Sequence, residues 1–216
     1  MSTAEAKIHK VAHHFESAGQ EESACKLGMW LFLCTEILMF GGLFVGYVIY
    51  KRMYPDIFLQ GATFLDWKLG ALNTVVLLLS SLTMALSIYY TQKAKNSKAI
   101  LCLWLTLLCG FIFMGVKYIE YSHKLHIGLA PGAWFSYTES STLAGLPLYF
   151  SFYYCMTGLH GLHVLVGMLL IFWMVLRAKK KHFGPSYYTP LECVGLFWHL
   201  VDLIWIYLFP LLYLVE

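Results

Sequence analysis

The sequence predicts an all-α, polytopic membrane protein, a bundle of five transmembrane helices with its N-terminus inside and its C-terminus outside. Three observations predict it. The 216 residues are 59% apolar and only 12% charged, against about 25% charged in an ordinary soluble domain. Mean hydropathy is +0.65. Five runs reach the roughly 20 apolar residues that a helix needs to cross a bilayer. Disorder is excluded as well, because 17% aromatic content with a net charge of +3 opposes what keeps a chain unfolded in water.

Residues 1–26 form a polar segment on the inner side carrying His9, His13 and His14; a short helix and a disordered arm are equally compatible with it. The remainder, 27–216, is the transmembrane domain. Its first apolar run, Leu27 to Tyr50, follows Glu21 and Glu22 and is too long for the apolar region of a signal peptide, so no cleavable targeting segment is expected. The other runs are Leu69 to Tyr90, Ala99 to Tyr121, Leu146 to Leu176 and Glu192 to Val215. The fourth exceeds the hydrocarbon thickness and should tilt or protrude, with Pro147 in its first turn. Segment 122–145, with its Gly, Ser and Thr and Pro131, is the longest loop and lies outside.

Basic residues set the orientation. One side holds Lys7, Lys10, Lys26, Lys93, Lys95, Lys98, Arg177, Lys179, Lys180 and Lys181, the other Lys51, Arg52, Lys68, Lys117 and Lys124, so the N-terminal side is placed inside. Arg177 to Lys181 would also meet anionic lipid. Tyr47, Tyr50, Tyr54 and Trp67 read as aromatic anchors at the outer interface. Cys34, Cys102, Cys109 and Cys155 lie within apolar runs and read as small core hydrophobes.

An ionisable group inside the membrane costs about 2.5–3.5 kcal/mol on insertion scales, so each needs a reason. Glu36 sits roughly 4 Å from the middle of the first span. It reads either as a carboxyl gluing two helices or as a proton-handling group. In Gly158-Leu159-His160-Gly161-Leu162-His163, His160 and His163 share a helix face and Gly158 and Gly161 would admit a neighbouring helix. A metal or haem ligand set and a pair of packing histidines are both open, although no further ligand of fitting spacing accompanies them. In the fifth span Glu192, His199 and Asp202 fall along one stripe, where carboxylate beside imidazole favours an ion pair or a shared proton. If the spans touch, Glu36, His160, His163, His199 and Asp202 form one connected polar layer. Asn73 is suited to bond a neighbouring helix. Lys117 and Glu120 read as an ordinary interface pair. Nothing suggests a nucleophile with its base, a phosphate-binding glycine loop or a nucleic-acid surface. Two further classes fit the polar residues: a b-type cytochrome using His160 or His163 with His199 as axial ligands, and a small proton-coupled transporter built on Glu36 and Asp202.

Several runs together resemble subunit III of the haem-copper terminal oxidases. They are Lys26-Leu27-Gly28-Met29-Trp30 through Thr35-Glu36-Ile37-Leu38-Met39-Phe40, Leu72-Asn73-Thr74 with Ser80-Ser81, Glu120-Tyr121, Gly161-Leu162-His163-Val164, and Phe197-Trp198-His199-Leu200-Val201-Asp202-Leu203-Ile204-Trp205. They occur in the family's order from about Lys26 to the C-terminus. The resemblance implies a respiratory subunit of the bacterial inner membrane that carries no haem or copper of its own. It would pack on catalytic subunit I and the other oxidase subunits, in an enzyme that reduces dioxygen to water and pumps protons. It further implies that Glu36 matches a buried carboxylate reactive to carboxyl reagents, and that the subunit protects subunit I during turnover, supports proton uptake and holds lipid. Seven-helix members carry two more helices ahead of the segment matching Leu27 to Tyr50, so this chain is similar to the short five-helix form, and the enclosed lipid cleft would need another subunit. Glu36 and Leu72-Asn73-Thr74 look like the cytochrome c branch, whereas Leu196-Phe197-Trp198-His199 is similar to quinol oxidases. An accessory protein of nitric oxide reductase shares the fold.

Overall fold

A computed structural model of the chain describes residues 13, 15–137 and 144–214. His9 and His14, much of the polar N-terminal segment, part of the long loop and Val215 lie outside the described residues. Among those described, all regular structure is helical apart from one bridge between Gly184 and Tyr187. The helices are α1 (Ala18–Met53), α2 (Pro55–Thr63), α3 (Trp67–Gln92), α4 (Asn96–His126), α5 (Leu146–Lys179) and α6 (Thr189–Tyr213). All but α2 are long and apolar enough to cross a membrane. Helix suits such sequences, because inside a bilayer every backbone N–H and C=O needs a partner and a single apolar run of this length supplies them all within itself as a helix.

Local chemistry sets the ends. α1 begins at Ala18 rather than Leu27, because Ser17 caps it: the Ser17 Oγ accepts from the Gln20 N–H at 3.2 Å. Asp66 caps α3 by accepting from the Lys68 N–H at 2.9 Å. Pro55, Pro147 and Pro190 occupy the first turns of α2, α5 and α6, where the missing N–H costs nothing. α4 runs on to His126, past the expected end at Tyr121. The short helix α2 was not foreseen. It packs Phe58, Gly61 and Ala62 inward, and a methyl group at Gly61 would overlap the Tyr149 ring.

α3, α4, α5 and α6 form a four-helix ring in that order, each packed on its neighbours, and α1 lies outside it against α5 and α6. The buried residues of α1 are Leu33, Phe40 and Tyr47. Their seven-residue spacing is a coiled-coil-like seam, and Glu36 falls within it. Tyr47 is therefore a core residue, edge-on to Phe58 at 5.0 Å, whereas Tyr50, Tyr54 and Trp67 are exposed as interface anchors should be. Of the cysteines read as core, Cys102 is buried and Cys109 half-buried, but Cys34 and Cys155 point outward, since a single apolar run does not say which face turns in.

Candidate functional site

The seam between α1 and α5 carries the first polar constellation. His163 Nε2 lies 2.9 Å from Glu36 Oε2. The other ring nitrogen lies 2.8 Å from the Leu159 carbonyl oxygen, which can only accept, so Nδ1 carries a hydrogen and donates. That leaves one proton to be shared between Nε2 and the carboxyl: imidazolium with carboxylate, or imidazole with carboxylic acid. Phe40 stands edge-on to the imidazole at 5.2 Å, and the pair is about 15% exposed, 16% for His163 and 14% for Glu36. Glu36 is thus bonded across helices to the fourth span, through His163 rather than His160.

His160 turns the other way. It is buried in the ring interior between Phe113 at 5.5 Å and Trp205 at 5.4 Å, and neither ring nitrogen has a hydrogen-bond partner among the described residues. The close helix approach expected at Gly158 and Gly161 is not found: a Cβ at either would meet open space. The tight contact is nearly two turns beyond Gly161, at Gly167, where a Cβ would come within 2.7 Å of the Trp198 ring.

Between α3 and α6 three rungs run antiparallel. Trp198 Nε1–H donates to Ser80 Oγ at 3.0 Å, His199 Nδ1 and Ser81 Oγ lie 2.6 Å apart, and Trp205 Nε1–H donates to Thr74 Oγ1 at 3.1 Å. His199 therefore bonds α3 rather than Asp202. Residues three apart point about 60° apart around a helix, and the short Asp202 side chain stays in the interior, where Ser81 is its polar neighbour. Asn73 is buried, and among the described residues neither amide atom is bonded, so the interhelical bond expected of it is not made there. Glu192 leaves the expected stripe to pair with Lys26 of α1 at 3.1 Å, and Lys26 also meets Glu22 at 2.6 Å. The five residues expected in one layer thus fall into separate groups: Glu36 with His163, His199 with Ser81, Asp202 beside the same Ser81, and His160 between Phe113 and Trp205.

The densest polar cluster is one that the sequence reading treated as an interface pair. Lys117, Glu120 and Lys124 are all buried. Glu120 Oε2 accepts from Lys117 Nζ at 2.9 Å, and Oε1 accepts from Lys124 Nζ at 2.7 Å, Tyr213 OH at 2.7 Å and Tyr153 OH at 3.0 Å. Lys117 Nζ also donates to Tyr213 OH at 2.6 Å and lies 4.6 Å from the Trp205 ring centre. Tyr121 and Thr157 bond beside it. One carboxylate with four donors ties α4, α5 and α6 together at the end of the ring nearest α2. The signal was present in the spacing: the buried face of α4 runs Leu103, Leu107, Gly110, Phe113, and Lys117, Glu120 and Lys124 continue its period.

Comparison with known proteins bears on what this arrangement serves. The family pattern described as cytochrome c oxidase subunit III matches residues 8–216. The chain is 34% identical over 193 residues to a cytochrome c oxidase subunit 3 from Synechocystis, covering 87% of this chain and 74% of that one. It is 32% identical over 190 residues to a cytochrome c oxidase subunit 3 from Thermostichus vulcanus, covering 88% and 86%. It is 27% identical over 213 residues to a cytochrome bo(3) ubiquinol oxidase subunit 3 from Pseudomonas aeruginosa, covering 97% and 94%. With a match across nearly its whole length and five membrane-spanning helices, the chain belongs to the cytochrome c oxidase subunit III family, a multi-pass inner-membrane subunit of the haem-copper terminal oxidases.

Proposed function

We propose that this chain is the accessory subunit of a proton-pumping oxidase that reduces dioxygen to water with cytochrome c as donor. It packs against catalytic subunit I, keeps that subunit active and supports proton uptake from the inner side, where its own N-terminus lies. The haems and copper belong to partner subunits, and phospholipid is this chain's own ligand. The observation that carries the reading is the Glu36–His163 pair. Two groups 2.9 Å apart, on a seam at the edge of the chain, can exchange a proton between themselves without changing their joint charge. That is proton chemistry, not electron transfer.

The histidines support the same division of labour. Both nitrogens of His163 are engaged, His199 Nδ1 meets Ser81, and His160 lies between Phe113 and Trp205, a setting that suits packing rather than axial ligation of a macrocycle. Among the described residues no three His, Cys, Asp or Glu side chains converge on a metal position. For the donor, identities of 31–34% to relatives named for cytochrome c, against 26–29% to those named for quinol or ubiquinol oxidases, which match over as much of the chain or more, support cytochrome c. Oxygen uptake by the intact complex tests it: reduced cytochrome c should sustain turnover and a quinol should not. The opposite preference would assign the chain to the quinol branch. A haem spectrum from the isolated chain would overturn the accessory reading.

A further inference from the structure

At the N-terminal end of the bundle a cavity of about 720 Å³ opens between α1, the end of α5 and the start of α6. Met29, Phe32, Trp173 and Val194 line it, and so do two thiols on different helices, Cys25 of α1 and Cys193 of α6. Their sequence neighbours, Lys26 and Glu192, already join the two helices at 3.1 Å. Cys25 is exposed and Cys193 half-buried. The other cysteines do not share this setting: Cys34 and Cys155 face outward, while Cys102 and Cys109 lie in α4.

We propose that Cys25 and Cys193 are a redox-active dithiol pair, oxidised by a hydroperoxide to a disulfide that fastens α1 to α6 across the mouth of this cavity. In a reducing compartment the pair rests as two thiols. The exposed Cys25 sulfur attacks the peroxide, breaking the O–O bond and leaving a sulfenic acid and an alcohol, or water when the peroxide is hydrogen peroxide. The Cys193 sulfur then attacks the sulfenic sulfur, the S–S bond forms and water leaves. Two electrons pass from the thiols to the peroxide, so no further reductant is needed. A disulfide requires Cα atoms about 4.4–6.8 Å apart, closer than a Lys–Glu bridge demands. Bond formation therefore draws the first turns of α1 toward α6. Those turns can move, because the buried anchors of α1, Leu33, Phe40 and Tyr47, all lie further along the helix.

The test uses the purified, fully assembled complex. After treatment with hydrogen peroxide, residual thiols are capped with N-ethylmaleimide and the unreduced digest is read by mass spectrometry. The expected result is a linked peptide pair joining Cys25 to Cys193, two hydrogens lighter than its reduced parts, with joint loss of both alkylated thiols and recovery on adding dithiothreitol. Cys25→Ser and Cys193→Ser should each abolish the linked peptide in complexes that still assemble. Dibromobimane, which fluoresces on bridging two neighbouring thiols, reads their proximity separately. Failure to bridge overturns the geometry. Bridging without a peroxide-induced disulfide, or separate oxidation of each thiol to sulfinic or sulfonic acid, overturns the redox role.

Discussion

The Glu36–His163 pair separates two explanations that otherwise look alike, since a shared proton both glues helices and moves charge. Glu36→Gln keeps the shape and can donate its amide N–H to the free lone pair of a neutral His163, whose Nδ1–H remains on the Leu159 carbonyl, but it removes the exchangeable proton. If the pair is glue, Glu36→Gln turns over and pumps almost normally, while Glu36→Ala leaves a cavity and a stranded imidazole at about 1–3 kcal/mol and the subunit is shed more readily in detergent. Proton pumping measured in liposomes decides: a large fall in Glu36→Gln with the complex intact makes Glu36 a proton-handling group. Glycines give a second contrast at this scale. Gly167→Ala drives a methyl into the Trp198 ring and should destabilise the isolated chain by about 1–3 kcal/mol through overpacking. Gly161→Ala meets open space and should be neutral, or stabilising by up to about 1 kcal/mol, because alanine is the better helix former. Thermal unfolding of both variants in detergent checks the pair; equal destabilisation would mean that Gly161 is not open.

Between elements, the strongest polar tie is Glu120, whose carboxylate holds two ammonium groups and two tyrosine hydroxyls from α4, α5 and α6. Glu120→Ala strands Lys117 and Lys124 in the interior and should cost about 3–5 kcal/mol, the range for breaking a buried ion pair by removing one partner. Lys124→Met should cost clearly less, because Glu120 keeps Lys117 and both tyrosines. The midpoint temperature at which the chain unfolds in the purified complex measures the order; equal losses would show that the cluster is wetter than its burial implies. The same cluster shows what was legible in the sequence and what was not. Long apolar runs located all five spanning helices, because a run of about 20 apolar residues crosses a bilayer as a helix, and the expected polar layer held Glu36 with the fourth-span histidines without choosing between His160 and His163. Rotation about each helix axis was less legible. A run that is apolar on every face carries little amphipathic signal, so His160, Asp202 and Gly161 were assigned neighbours that they do not have. Charges near a span end usually face water, which hid Lys117 and Lys124. The helix α2 escaped because nine residues, Pro55–Thr63, are too few to show a period, and its burial depends on Tyr149 far along the chain.

For the molecule as a whole, the arrangement of a four-helix ring with α1 laid along one side leaves most of α1 exposed, including Leu27, Trp30, Leu31, Leu38 and Val45. In a bilayer these residues meet lipid or another subunit. The basic residues argue that the ends carrying Lys93, Lys98 and Lys179 face inward, and reporter fusions check this: a periplasm-active enzyme should work when joined to the C-terminus and fail when joined to the N-terminus. Removing the chain tests its accessory role. On that reading the redox centres lie in partner subunits, so a complex stripped of this one should begin turnover at close to its normal rate. What it loses is the support that α1–α6 give to the neighbouring subunit and to proton delivery, and a catalytic site starved of protons holds its reactive oxygen intermediates longer. The expected trace is a normal initial rate of oxygen uptake that decays over successive turnovers, with the decay slowed when the purified chain is added back. Glu120→Ala chain, in which the ties between α4, α5 and α6 are cut, should rescue less than wild type. An initial rate that collapses at once on removal, before any turnover-dependent decay, would instead place part of the catalytic machinery in this chain.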